Sequence, residues 1–98
     1  MILISGTIRL PEAGLAAALP AMRAMMAASR AEPGCLHYAY AQDLEDPTLI
    51  HVSERWTSRA ALAAHFASAH LAAWRSQFAA LGIHDRNLIL MEGDAEPT

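Results

Sequence analysis

Three titratable side chains in the second half of the chain are the first candidates for chemistry: Glu54, His65 and His70. Glu54 alternates with Ile50 and Val52 in an apolar strand pattern, so its carboxylate is predicted to point inward. Removal from water raises the pKa of a carboxyl group, which would suit Glu54 to general acid or base work. The alternative is a carboxylate paired with an arginine at the rim of the sheet.

His65 and His70 flank a predicted helix break at Ser68. Two histidine ligands on one helical face are normally four residues apart, whereas these are five apart, so no metal site is predicted from this pair. Imidazole titrates near neutral pH, which suits proton abstraction from a phenol or an activated carbon acid. Two simpler roles stay open: a structural hydrogen bond from His65 to the third strand, and a bond from His70 to its own helical turn.

Aromatic residues form a second group of candidates, as walls of a binding site. Trp74 lies on an apolar helical stripe, where packing is its simplest role, although an indole N–H at a cavity wall could bind an oxygenated substrate. Tyr38 and Tyr40 share a strand face, for which a dimer interface is favoured over a cavity. The residues predicted to bind substrate are His70, Trp74, Trp56 and Tyr38.

The elements that must position these residues follow from the periodicity of the apolar side chains. Alternation predicts strands over residues 2–10, 35–42, 49–56 and 83–92. The order β-α-β-β-α-β predicts an α+β, ferredoxin-like fold with a four-stranded antiparallel sheet and both helices on one face. The other face carries enough apolar residues to need cover, so a homodimer is expected.

The first helix is predicted from an apolar stripe at helical spacing, formed by Leu15, Leu19, Met22 and Met26. Pro20 is expected near the start of this helix or at a kink in it. Thr57 or Ser58 would cap the second helix, which is expected to break in two at Ser68. Gly82 would end it.

Composition narrows the function classes. Ninety-eight residues predict one domain over residues 1–98, with a frayed tail over residues 93–98. A net charge of −3, with the arginines scattered, does not suit nucleic acid. No apolar run approaches a membrane span and the N-terminal residues alternate like a strand rather than a signal peptide, so a cytoplasmic protein is expected.

Cofactor motifs are missing from the sequence. The lone Cys35 removes every Cys-pair metal motif. There is no glycine-rich phosphate loop, no nucleophile elbow, and no flavin or nicotinamide fingerprint. No cofactor and no metal are therefore predicted, and an oxidoreductase with this sequence would rely on a redox-active substrate.

Several short motifs together resemble the antibiotic biosynthesis monooxygenase (ABM) family, which includes small quinol and anthrone oxygenases. The resemblance covers nearly the whole chain and implies a dimer whose two sheets pack into an α/β-barrel, with a pocket between sheet and helices in each subunit. For some members it implies oxygenation of electron-rich phenols or quinols without metal or flavin. The motifs are Glu32-Pro33-Gly34-Cys35, Asp46-Pro47, Glu54-Arg55-Trp56, Ala64-His65 and Ser68-Ala69-His70-Leu71.

The resemblance also implies site positions. His65 and Glu54 match the common pocket positions, with His70 and Trp74 nearby. Haem-degrading proteins resemble this fold too, but they use an asparagine on strand one, where this chain has Ser5 and Thr7, so haem breakdown is disfavoured.

The leading hypothesis is a cofactor-independent monooxygenase that uses dioxygen on small aromatic, quinol-like substrates, with His65 as the base and Glu54 orienting or stabilising it. The first alternative is a non-catalytic dimeric module that binds a small apolar ligand. The second is a protein that clears quinones or reactive carbonyls by proton transfer, without adding oxygen.

Overall fold

A four-stranded antiparallel sheet carries the helices on one face in the computed structural model, which describes residues 1–98. The strand order is β2-β3-β1-β4, so the predicted ferredoxin-like β-α-β-β-α-β arrangement is confirmed. The second helical region is divided into three pieces rather than two. The elements are β1 (Ile2–Arg9), α1 (Leu15–Arg30), β2 (Cys35–Gln42), β3 (Leu49–Trp56), α2 (Arg59–Phe66), α3 (Ala69–Ser76), α4 (Phe78–Leu81) and β4 (His84–Glu92).

The central strands β1 and β3 supply the floor of the core. Ile4 pairs with Glu54 and Ile8 pairs with Ile50 in the antiparallel register, so these side chains share the face towards the helices. All four are buried. Glu54 is therefore a carboxylate within an otherwise apolar layer, as its alternation with apolar residues predicts.

Strand β2 contains an irregularity that changes which side chains face inward. Cys35 pairs with Trp56 and His37 pairs with Arg55, so Leu36 is an extra residue at a β-bulge. Leu36 is exposed, although regular alternation along β2 would place it on the same face as Tyr38. After the bulge the alternation resumes, and Tyr38 is buried against the core.

Helix α1 packs on the sheet through a stripe that is rotated from the predicted one. Of the predicted stripe only Met22 is fully buried, because the helix turns a different line of residues to the sheet. Pro20 lies inside the helix and is exposed, so the carbonyl that loses its N–H donor can bind water instead. The buried residues of α1 are Ala18, Met22, Met25 and Ser29.

Two serine caps define the breaks between the later helices. The Ser58 hydroxyl accepts from the Ala61 N–H at 3.1 Å, and the Ser68 hydroxyl accepts from the Leu71 N–H at 3.3 Å. The Ser68 hydroxyl also donates to the His65 carbonyl at 2.6 Å, which ties the end of α2 to the start of α3. Both predicted caps are confirmed.

The last strand and the tail complete the chain. Gly82 ends α4 in the left-handed conformation, as predicted. Strand β4 is an edge strand whose residues are mostly exposed, and residues 93–98 contain neither helix nor strand. No helix has both the length and the apolar character needed to cross a membrane.

Candidate functional site

A cavity of about 160 Å³ lies between the inward face of the sheet and helices α2, α3 and α4. Most of its lining is apolar or aromatic, including Tyr38, Tyr40 and Trp74. A mostly apolar cavity with a few converging polar groups is the usual form of a small-molecule site. Its charged or titratable lining residues, apart from the tyrosines, are Glu54, His65, Arg75 and Arg86.

Glu54 is buried at the cavity floor and has one close polar partner. The indole N–H of Trp56 donates to its Oε1 at 3.0 Å. Burial raises the pKa of the Glu54 carboxyl group, while the Trp56 hydrogen bond and the neighbouring His65 act in the opposite direction. The alternative of a rim carboxylate paired with an arginine is wrong, because Glu54 is inside the core and has no arginine ion pair.

His65 is buried beside Glu54, and its two ring nitrogens have different surroundings. Nδ1 lies 2.6 Å from Oε2 of Glu32, whereas Nε2 lies 4.0 Å from Oε1 of Glu54, beyond hydrogen-bond distance. In the neutral ring the nitrogen that is hydrogen-bonded to a carboxylate carries the proton, so the bond to Glu32 leaves the lone pair on Nε2, the nitrogen on the side of the cavity residue Glu54. The ring packs on Trp56 with centroids 4.5 Å apart.

Glu32 joins the two histidines of the helix break. Its Oε2 also accepts from Nε2 of His70 at 3.0 Å, so one carboxylate oxygen serves both rings. The alternative in which His70 bonds its own helical turn is wrong, because its partner lies 38 residues earlier in the chain. Glu32 was predicted only as part of the Glu32-Pro33-Gly34-Cys35 motif, and its contacts with both histidines were not predicted.

Local structure explains how Glu32 comes close to α2. Gly34 has a φ of 84°, a conformation that residues with a side chain rarely adopt. A Cβ at this position would lie 2.6 Å from Cβ of Ala61 and 2.7 Å from Oγ1 of Thr57. The glycine of the Glu32-Pro33-Gly34 turn therefore allows this loop to pack tightly against the start of α2.

Glu32, His65 and His70 offer ligand atoms that all lie within 4.8 Å of one another, as the ligands of a metal site would. Two ligands of a tetrahedral zinc ion, each about 2.0–2.1 Å from the metal, lie about 3.3 Å apart. Nδ1 of His65 and Oε2 of Glu32 are only 2.6 Å apart, which is a hydrogen-bond distance. This geometry is that of a hydrogen-bonded cluster, and the expectation of no metal site stays a prediction.

Tyr38 and Tyr40 form part of the cavity wall. Their hydroxyl groups lie 3.0 Å apart, and burial raises the pKa of both phenols above the usual range, so both stay protonated. The preference for a dimer interface at these two tyrosines is wrong, because their rings face the helices of the same chain. Trp74 lines the same wall and meets Tyr40 with ring centroids 5.6 Å apart.

Trp56 and His70 do not line the cavity. Trp56 donates to Glu54 and packs on His65, and the His70 ring lies 5.8 Å from the His65 ring, centroid to centroid, with Glu32 bonded to both. The structure therefore brings His65, Glu54, Tyr38 and Trp74 together at the cavity and places the other two predicted residues outside its lining.

Two arginines at the cavity were not predicted as site residues. Arg86 lies on β4 and Arg75 on α3, where both contribute to the lining. Arg86 precedes Leu88 and Leu90 at a spacing of two, so the alternation of β4 could have placed it on the inward face.

Comparison with known proteins places this geometry in context. A family model described as antibiotic biosynthesis monooxygenase matches residues 1–77. The solved structure of a Pseudomonas aeruginosa protein is 30% identical, with a TM-score of 0.80 over 96% of this chain and 93% of the other. No curated protein matches the chain.

Two further solved structures are described as proposed antibiotic biosynthesis monooxygenases and share the fold. The one from Deinococcus radiodurans has a TM-score of 0.91 and 22% identity over 100% of this chain and 97% of the other. The one from Nitrosomonas europaea has a TM-score of 0.83 and 24% identity over 95% of this chain and 98% of the other.

Proposed function

The chain belongs to the antibiotic biosynthesis monooxygenase family, and we propose that it oxygenates small aromatic, quinol-like substrates with dioxygen and without a bound cofactor. The observation that carries the proposal is the unpaired Nε2 of His65, which faces a mostly apolar cavity while Glu32 holds Nδ1. A buried imidazole in this state is suited to accept a phenolic proton. The reaction then depends on the electrons of the substrate.

The size of the cavity limits the substrate class. Its volume of about 160 Å³ is close to that of an engineered apolar cavity of about 150 Å³ that binds benzene. A single-ring hydroquinone therefore fits better than a three-ring anthrone. Trp74 and Tyr40 offer flat aromatic walls against which such a ring can pack.

The proposed reaction balances without an external reductant. His65 takes a phenolic proton at Nε2, and the resulting quinolate donates electrons to dioxygen. One oxygen atom becomes a hydroxyl group on the ring and the other leaves as water, so that hydroquinone and dioxygen yield hydroxyquinone and water. The substrate supplies all four electrons, two by its conversion to a quinone and two at the ring carbon that loses hydrogen.

The other charged groups have supporting roles in this proposal. Burial favours the neutral form of Glu54, which can donate a hydrogen bond to a quinolate oxygen instead of repelling it. The guanidinium group of Arg86 places positive charge at the same cavity, where negative charge develops on the substrate. The apolar lining protects reduced oxygen species from water.

Oxygen uptake tests the proposal. The purified, metal-stripped protein is incubated with single-ring hydroquinones, two-ring quinols and anthrones, and each run is matched with a His65→Ala variant because these substrates autoxidise. We expect uptake that favours the single-ring compounds and falls by about 10²–10⁴-fold in the variant. Labelled dioxygen should leave one labelled atom in the product. A His51→Ala variant, altered at an exposed histidine outside the cavity, should behave as the parent protein.

The outcomes separate the three hypotheses. Full turnover by His65→Ala would remove His65 from the role of base. Quinone consumption without incorporation of oxygen would favour proton transfer. Saturable quenching of the tryptophan fluorescence by hydroquinones, without any oxygen uptake, would favour a binding module.

A homodimer is also part of this proposal. The sheet face away from the helices exposes Ile89 and Met91, and the bulge exposes Leu36. Large apolar side chains exposed on a sheet favour a partner, and a second copy offers an identical surface. Light scattering at micromolar concentration should give the mass of a dimer, and the mass of a monomer would contradict this arrangement.

A further inference from the structure

We propose that Glu32 and His70 form a proton path that connects the cavity histidine, His65, to solvent, and that Glu32 determines which nitrogen of His65 carries the proton. The inference rests on the proposed function, because it concerns His65 as the base. Glu32 and His70 are positioning and proton-exchanging residues in this scheme, since neither lines the cavity.

The path is continuous and becomes more exposed along its length. Nδ1 of His65 is 2.6 Å from Oε2 of Glu32, and the same oxygen is 3.0 Å from Nε2 of His70. The side chains of these residues are 2%, 14% and 27% exposed, in that order. A proton can therefore pass from a fully buried ring to one that reaches water by way of hydrogen bonds that already exist.

Other groups around His65 do not offer an equivalent route. Glu54 faces the opposite nitrogen at 4.0 Å and lies on the cavity side, where bound substrate would exclude water. The Tyr38 ring packs 5.5 Å from the His65 ring, and burial keeps its phenol protonated. Arg86 lines the cavity and is a permanent cation. Glu32 is therefore the acceptor through which the Nδ1 proton can leave.

The path would carry a proton away from His65 and back to it during one reaction cycle. When Nε2 takes the substrate proton, the Nδ1 proton moves to Glu32. His70 is partly exposed, so its ring can change tautomer through water and accept that proton at Nε2. When Nε2 of His65 later delivers its proton to reduced oxygen, a proton returns along the same path to Nδ1 of His65. No net proton is gained or lost, and His65 regains the tautomer that acts as a base.

A measurement on the resting protein tests the path without any substrate. Nitrogen–proton NMR correlation should show His65 protonated at Nδ1, with a far-downfield proton because the hydrogen bond to carboxylate is short. Saturation transfer from water then gives the exchange rate of that proton. We expect His70→Phe, which fills the space without a titratable group, to slow the exchange at least tenfold. His51→Phe, at an exposed histidine, should leave it unchanged.

A second variant guards against a purely structural effect. His70→Ala opens the same space to solvent, so added imidazole should restore fast exchange there but not in His70→Phe. Circular dichroism and thermal unfolding verify that each variant is folded. Exchange that is unaffected by His70→Phe, or a wild-type proton on Nε2, would overturn the path.

Turnover separates this inference from the proposed function. With an active substrate, His70→Phe should lower kcat at least tenfold with little change in KM, and imidazole should rescue His70→Ala. Glu32→Gln preserves the shape of the carboxylate but cannot carry the proton, so it should also lower kcat. If no substrate is oxygenated, the proposed function fails, while the exchange rates still decide whether the path exists. Unchanged kcat and exchange in His70→Phe would reject the path alone.

Discussion

Two histidine–carboxylate pairs of similar length lie in opposite environments of this chain. His65 Nδ1 and Glu32 Oε2 are 2.6 Å apart beside the cavity, and both side chains are largely buried. His51 Nε2 and Asp43 Oδ1 are 2.8 Å apart at the β2–β3 hairpin, where the side chains are 51% and 27% exposed. The chemistry of the two pairs is the same, and the access of water differs.

Because water reaches the two pairs to different extents, they have different effects on the protein. At the hairpin, solvent screens the charges, and Asp43 serves mainly to shape the loop by accepting from the backbone N–H groups of Glu45 and Asp46. Beside the cavity, Glu32 bonds one ring nitrogen of the buried His65 and one of the partly exposed His70. A buried polar group that loses its partner is costly, whereas an exposed one turns to water. Burial, rather than the pairing itself, is what gives the Glu32 cluster its influence over His65.

The largest expected effect tests this contrast directly. Glu32→Ala should lower the free energy of unfolding by about 1–3 kcal/mol, because the buried Nδ1 donor of His65 loses its acceptor. Asp43→Ala should have a much smaller effect, since water can replace its carboxylate at His51. Urea unfolding of the two variants beside the parent protein measures both. Equal losses would show that burial does not distinguish the pairs.

The fold was predictable because its signals are local. Strands β2 and β3 begin and end at the predicted residues, and the Ser58 and Ser68 caps lie where predicted. Each depends on alternation or on a hydroxyl group near a free backbone N–H, which a short segment of sequence contains. The bulge at Leu36 was missed because it depends on pairing with β3 and not on the sequence of β2 alone.

The site was predictable only in part, for a related reason. Residue type and position on a helix or strand indicate four residues that line one cavity: His65, Glu54, Tyr38 and Trp74. Glu32 meets His65 and His70 across 33 and 38 residues, through a loop whose approach depends on Gly34 packing against Ala61. No periodicity indicates such a contact, because it exists only after the loop and the helices have packed together.

The pH dependence of stability should have opposite signs in the two regions, with the larger effect at the cavity. Burial raises the pKa of Glu54 in the folded protein. The contribution of Glu54 to the free energy of unfolding is therefore most favourable below the usual carboxyl pKa, and it is lost as the pH rises through the folded value. Glu54→Gln should therefore stabilise the protein at neutral pH, by less than the loss from Glu32→Ala. Thermal unfolding between neutral and acidic pH measures this gain, which should disappear in acid.

The smallest effect is expected at Asp46, in the hairpin loop. The Arg9 guanidinium, with the hydroxyl and backbone N–H of Thr48, lowers the Asp46 pKa to about 2. A lowered pKa contributes stability above the usual carboxyl range and loses it as the pH falls towards about 2. Asp46→Asn should thus destabilise slightly at neutral pH, added salt should shrink the difference because the pair is exposed, and acid should abolish it. If Asp46→Asn instead stabilised the protein at neutral pH, as Glu54→Gln is expected to do, burial would not set the direction of these two pKa shifts.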